Sequence, residues 1–384
     1  MTHSKAPSAW WAVFAMSFGI FGIVGAEFLP ASLLTPMAAD LKITEGMAGQ
    51  SVTATAAFGF LASLLISLIA GDRNRRQILI FFAVLLVVSN LSVALASDLT
   101  MLLTARIILG IALGGFWALS PAVILRLVPE EQVPKALAIL FGGVSAATVF
   151  AAPFGTFLGD MFGWRVVFYA AAFLGLISVL SLYITLPSLP SERAESPKTI
   201  LMLIRRQEIS VGMVSLLLVF VGHFSFFTYL RPFLEEVTLA NPVGVTITLL
   251  IFGIGTFFGN ALSSRLINAS LKNTLITMPL LMGSLAILLS TFGGNQILDG
   301  LLVAAWGILF GIVPVSWSTW VTKAMPDNTE SGGGLVVATC NLAIAIGAAG
   351  GGIVLDSYDS QVLYFVSALV LFTGFLLTTK LKPL

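Results

Sequence analysis

Three residues of this chain have side chains able to hold or steer a proton, yet they stand in segments rich in hydrocarbon: Glu27, Arg106 and His223. From Trp10 to Met37 Glu27 is the only charge, and it reads as the sole carboxylate within the apolar spans. A charged side chain at the centre of a bilayer helix costs about 2.5–3.5 kcal/mol on insertion scales, and such residues usually face the bundle interior. Burial penalises the charged form, while a nearby cation favours it. A carboxyl group that alternates between apolar and cation-paired surroundings is therefore a workable proton carrier. The plainer reading is a permanently protonated glutamate making one helix–helix hydrogen bond. Counted along their helices, Glu27 lies about 15 Å and Arg106 about 10 Å from the same membrane face. These similar depths allow a transient pair between them, with snorkelling of Arg106 as the alternative. His223 is a proton acceptor, a substrate ligand or a satisfied polar core residue.

These groups must be positioned by membrane helices. Of the 384 residues, 58% are hydrophobic and 10% charged, where a soluble domain carries about 25% charged residues. Apolar runs of spanning length recur throughout. The expected fold class is an all-α membrane protein of twelve transmembrane helices in two six-helix bundles. The spans are 10–37, 48–69, 78–96, 100–127, 135–158, 164–186, 209–233, 243–267, 275–293, 297–322, 332–355 and 361–379. The polar stretch between the sixth and seventh marks a linker, giving bundles at 1–186 and 209–384 joined by 187–208. Lys and Arg set the orientation: with both termini in the cytoplasm, only Lys42 and Arg165 among the loop cations fall outside. The N-terminal run is read as a retained first helix, since its charged lead is a single residue, Lys5.

The halves match at an offset of 196 residues. Asp160 then meets Asp356, Phe168–Tyr169 meets Tyr364–Phe365, Pro36 meets Pro232 and Glu27 meets His223. Parallel repeats of this kind place a substrate site between the halves near the midplane.

Three motifs recur in the first half. The loop "GDRNRRQ" (71–77) offers Asp72, Arg73, Arg75 and Arg76 as a charge latch between helix ends, or merely as positive-inside topology. Span four, "ARIILGIALGGFWALSP" (105–121), sets Arg106, Gly110, Leu113 and Trp117 on one face. Span five carries "AAPFGTFLG" (151–159), where Pro153, Gly155 and Gly159 permit bending and close packing. For flat ligands, Phe116, Trp117, Phe224, Phe227 and Trp306 offer aromatic faces, and Asn90 and Asn341 offer neutral amides. Many of these aromatics are equally packing residues. Trp10, Trp11, Trp164 and Trp320 sit at span ends and are read as interfacial anchors, and Arg231 as a snorkelling residue.

The three motifs resemble the signatures of the major facilitator superfamily, drug:proton antiporter group, along the whole chain. The loop is one residue shorter than the family pattern and lacks its internal glycine. The strings "EFLPASLLTPMAADLKITEGMAGQSVT" (27–53), "GGFWALSPAVILRLVP" (114–129), "HFSFFTYLRPFL" (223–234) and "VPVSWSTW" (313–320) resemble bacterial purine ribonucleoside efflux pumps. That resemblance implies export of inosine- or guanosine-type nucleosides, and of purine analogues, against proton entry. Drug or sugar efflux by the same mechanism is the alternative. The expected setting is the bacterial cytoplasmic (inner) membrane, the expected state a monomer, and the energy source the proton gradient without a cofactor.

Other classes fit poorly. A net charge of +1 implies no nucleic-acid partner. A channel needs a continuous polar lining. The chain has no G-x-x-x-x-G-K-[ST] and no H-E-x-x-H, and one cysteine with two histidines gives no metal framework.

Overall fold

The structure is a computed structural model describing residues 9–71, 73–190, 205–325 and 329–381. Most of the expected linker, 191–204, and Asp72 lie outside the described residues. In the first half the long helices are α1 (Trp10–Leu41), α2 (Glu45–Ala70), α3 (Arg75–Ala94), α4 (Leu99–Leu127), α5 (Val133–Phe162) and α6 (Trp164–Thr185). The second half comprises α7 (Gln207–Thr228), a short α8 (Leu230–Glu236), α9 (Pro242–Phe292), α10 (Gln296–Ala324), α11 (Thr329–Ser357) and α12 (Ser360–Thr378).

Polar residues at the span edges start these helices. Thr44, Asn74, Asp98, Asn241, Asn295 and Asp359 each accept a hydrogen bond from a first-turn N–H, satisfying donors that have no helical partner. The α9 element has 51 residues, about 76 Å of helix, far more than the roughly 30 Å hydrocarbon core. It breaks at Ser270, which is extended (φ −168°, ψ 106°). Its arms, 242–269 and 271–292, are therefore separate crossings, and with α7 and α8 taken together the crossings number twelve among the described residues.

The 196-residue repeat extends to the helix boundaries. Adding 196 carries Trp10 to Arg206, one before α7; Glu45 to Asn241, one before α9; and Arg75 to Leu271, just after the Ser270 break. It carries Leu99 to Asn295, one before α10, Val133 to Thr329 and Trp164 to Ser360.

Packing follows the same symmetry. Helix α1 packs on α5 and α6, as α7 packs on α11 and α12; α2 packs on α4, as the first arm of α9 packs on α10. In the latter pair glycines allow the backbones to touch. A Cβ at Gly110 or Gly114 would strike the carbonyls of Thr55 or Gly59, and one at Gly307 or Gly311 those of Phe252 or Thr256. The two halves meet through α2 on α11 and through α5 on α9. Their joint core runs from Trp306, Phe226 and Tyr364 across to Ala31, Val52 and Ala56 of the first half.

Candidate functional site

Helix α1 carries two prolines, Pro30 and Pro36. A proline has no N–H for the carbonyl four residues earlier, so the carbonyls of Ala26 and Ser32 lose their ordinary helical partner. Buried arginines take both. Arg106, fully buried on α4, donates from Nη1 to the Ala26 carbonyl at 2.9 Å and from Nη2 to the Glu27 carbonyl at 3.3 Å. Arg231 on α8, 3% exposed, donates from Nη1 to the Ser32 carbonyl at 2.6 Å.

The Glu27–Arg106 carboxylate pair, allowed for as a transient one, is not formed in this conformation. Arg106 grips the main chain around Glu27, and the ion pairs formed among the described residues do not include Glu27. Arg231 does not snorkel. Its position near a helix end suggested that reading, but it lies between the halves, with Nη2 on Asp160 of α5 at 3.0 Å and Nε on Glu235 at 2.9 Å.

Glu27 itself is 8% exposed. Its side chain borders a gap between the halves, lined by Phe28, Ala31 and Val52 on one side and Phe224, Phe227, Thr228 and Ile344 on the other. The gap measures about 10 Å³, room for roughly one water. Two expected aromatics, Phe224 and Phe227, line it. Phe28, whose ring meets Phe227 edge-on at 5.7 Å, was not anticipated, although adjacency to Glu27 was a signal for it. Thr228 and Ile344 had none.

His223 stands at the position matching Glu27 in the second half. It is 1% exposed, and its Nδ1 accepts from the Trp306 indole N–H at 3.0 Å. Its ring stacks on Phe310 at 3.4 Å, with 5° between planes. Indole nitrogen is a donor only, so His223 Nδ1 carries no proton, and the neutral ring holds its proton on Nε2. Trp306, fully buried and stacked on Phe226 at 3.8 Å, belongs to the core behind His223 and not to the gap.

The other expected ligands are dispersed. Phe116 is fully buried in the first-half core, with its ring tip against Gly19. Trp117 packs on Phe141 at 5.9 Å. Asn90 and Asn341 each donate Nδ2 to the carbonyl one turn back at 3.0 Å, those of Leu86 and Val337, leaving Oδ1 unpartnered. Asn341 Oδ1 faces Gly59 of α2. Trp164 and Trp320, read as interfacial anchors, are both 4% exposed: Trp164 donates to Asp40 and Trp320 packs over Gly212. Glu27 is also not the only buried carboxylate. Asp299 on α10 is fully buried, but it accepts from Thr238 Oγ1 at 2.7 Å and from the Gly294 N–H at 3.0 Å, a loop-capping duty.

The motif residues sort by location. Arg73 is exposed, Arg75 donates back to the Gly71 carbonyl at 3.3 Å, and Arg76 donates to the Tyr183 carbonyl at the end of α6 at 2.6 Å. In α5, Gly155 lies against Ser32 and Leu29, and Gly159 against Leu33, so α1 and α5 touch closely. Pro153 removes the helical partner of the Val149 carbonyl, and there Gly253 of α9 approaches, across the interface between halves.

At the end of the bundle where α1 finishes and α2 begins, four hydrogen bonds among the described residues join the halves. Arg231 supplies two, to Ser32 and Asp160. Asp356 receives the other two, from Thr44 Oγ1 at 2.6 Å and the Gly46 N–H at 3.0 Å. Asp160 and Asp356 are the pair related by the 196-residue offset, so the closure is itself nearly symmetric.

A twelve-crossing bundle with two matching halves and a largely aromatic gap between them has known counterparts. The family model of the Major Facilitator Superfamily matches residues 14–348. The chain is 44% identical over 374 residues to the "Purine ribonucleoside efflux pump NepI" of Shigella sonnei, covering 97% of this chain and 94% of that one. It is 43% identical to the protein of that name from Escherichia coli K12, with the same coverage. Among solved structures, the nucleoside transporter NupG superposes with a TM-score of 0.77 at 15% identity, covering 96% of this chain and 98% of that one. The human organic anion transporter MFSD10 superposes with a TM-score of 0.69 at 16% identity, covering 97% and 100%. At those identities the solved structures speak for the fold alone. The chain belongs to the Major Facilitator Superfamily.

Proposed function

We propose that this chain exports purine ribonucleosides of the inosine or guanosine type, and their analogues, in exchange for protons. It works as a monomer in the bacterial cytoplasmic membrane, with both termini in the cytoplasm and no cofactor. The observation that carries the reading is Glu27: a carboxylate buried between two moving halves, in a gap walled by Phe28, Phe224 and Phe227. The names of relatives 43–44% identical along nearly the whole chain support the substrate class.

Coupling follows from the chemistry of one carboxyl group. Ionised Glu27 accepts hydrogen bonds from a nucleoside whose base lies against the phenylalanine rings. Protonated Glu27 loses acceptor capacity, so proton and nucleoside weaken each other's binding by the same factor, as linkage requires. His223, held as an acceptor by Trp306, stays neutral and shapes the aromatic wall. Arg106 fixes α1 at its proline break and so fixes the Glu27 backbone. The bundles 1–186 and 209–384 rock over the α2–α11 and α5–α9 contacts, and a gap of one-water size admits a nucleoside only once they part.

The test is uptake into inverted membrane vesicles, acidic inside, with inosine, guanosine and a panel of lipophilic drugs and sugars. Uphill nucleoside uptake that collapses with the pH gradient is expected. The Glu27→Gln variant keeps the shape without titrating, so it loses proton-driven accumulation yet binds nucleoside with little pH dependence. Uphill uptake by that variant at the parent's rate would falsify the role of Glu27. Drug or sugar transport without nucleoside transport overturns the substrate class and leaves family membership standing.

A further inference from the structure

Many helical Ser and Thr residues of this protein dispose of their hydroxyls in the same way. Thr55, Thr104, Thr148, Ser225, Thr248, Thr256, Ser316 and Thr339 all donate to the carbonyl four residues back. Thr228 is one of several exceptions, with Ser51, Thr53 and Ser178, and of these it is the one that lines the gap beside Glu27. It is 1% exposed and its Oγ1 has no partner, although the Phe224 carbonyl lies one turn behind. An unmet buried hydroxyl is disfavoured and calls for an explanation.

Its place supplies one. Thr228 is the last residue of α7, where the helix breaks at Tyr229 before α8. Pro232 has no N–H to offer the Thr228 carbonyl, so the backbone there is also released from regular bonding. Interrupted membrane helices of this kind line substrate sites in secondary transporters. Thr228 borders the same gap as Glu27, from the opposite half. Its counterpart at the 196-residue offset, Ser32, has a hydroxyl bonded to the Leu29 carbonyl at 2.9 Å and a carbonyl held by Arg231. Of this related pair only Thr228 has an unpartnered hydroxyl.

We infer that Thr228 is a specificity-determining residue of the substrate site, its free hydroxyl forming a hydrogen bond with a polar group of the nucleoside across the gap from Glu27. The inference rests on the proposed nucleoside transport. The hydroxyl both donates and accepts, so it suits a ribose hydroxyl or the polar edge of the base, and the ligand panel separates the two.

The experiment measures KM and kcat for inosine, 2′-deoxyinosine and purine riboside, which lacks the 6-oxo group, in inverted vesicles. Parent, Thr228→Val and Thr228→Ser are compared. Valine preserves the shape and removes the hydroxyl. A single neutral hydrogen bond corresponds to about a tenfold preference at most. If Thr228 reads ribose, the valine variant loses the inosine preference over 2′-deoxyinosine by up to about tenfold in KM, with kcat little changed and the serine variant restoring it. If it reads the base edge, the inosine preference over purine riboside is lost instead, and the inference stands equally. Equal loss for all three ligands, or no change in either ratio, overturns it. A parent protein that transports no nucleoside refutes the proposed function instead, so the two failures are distinct.

Discussion

Replacing Arg231 with Met removes a guanidinium while keeping most of its apolar stem. Arg231 joins the halves through Asp160 at 3.0 Å and the Ser32 carbonyl at 2.6 Å. Its third contact, Glu235, sits on the same short helix and travels with it, so that contact cancels between open and closed states. Hydrogen bonds to charged groups contribute about 1.5–3 kcal/mol each. Asp160 keeps 20% side-chain exposure, which places its bond at the low end of that range. Two such bonds, at about 1.5 kcal/mol each, favour closure at this end by about 3 kcal/mol. At roughly 1.4 kcal/mol per factor of ten, Arg231→Met shifts the equilibrium toward opening at the α1–α2 end by about 150-fold. Asp160→Asn keeps an acceptor and loses only charge assistance, about half of one bond, so a shift of about three- to fourfold is expected. The assay is a spin-label distance measurement between Lys42→Cys and Tyr358→Cys, in a Cys340→Ser background. These positions lie on opposite halves at that end of the bundle. Longer distances should gain population strongly with Arg231→Met and weakly with Asp160→Asn. An unchanged distribution in the methionine variant would refute the latch, because the lost bonds would then be unimportant to closure.

Two further outcomes follow from the same geometry. Arg106→Met leaves the Ala26 carbonyl without its donor and should destabilise the folded protein by about 1–3 kcal/mol. In a Pro30→Ala background the new N–H meets that carbonyl, so the cost of Arg106→Met should shrink; an equal cost in both backgrounds would show that Arg106 serves something other than the proline break. The single cysteine, Cys340, lies one helical turn before Ile344, which lines the gap, and is only partly buried. Bound inosine should therefore slow its alkylation by a small maleimide, whereas identical rates with and without nucleoside would separate Cys340 from the substrate path.

The sequence by itself determined the crossings, their pairing into halves and the location of Glu27. Each is local: apolar length sets a span, Thr, Asn and Asp caps set its edge, and a repeated pattern shows as a constant offset. The prolines of α1 leave two carbonyls without helical partners. What satisfies them was decided by tertiary structure, since Arg106 and Arg231 reach α1 from 80 and 199 residues away. Distance from a helix end, the measure available along the chain, made Arg231 look like a snorkelling residue; only packing turned it inward onto Asp160. The sorting of aromatics had the same cause. Phe116, Trp306, Phe224 and Phe227 are chemically alike, and which of them faces the gap depends on helix rotation against neighbouring helices. Most remote from the sequence was Thr228, an unpartnered hydroxyl at the gap beside Glu27. That can be seen only when every group around it has been placed.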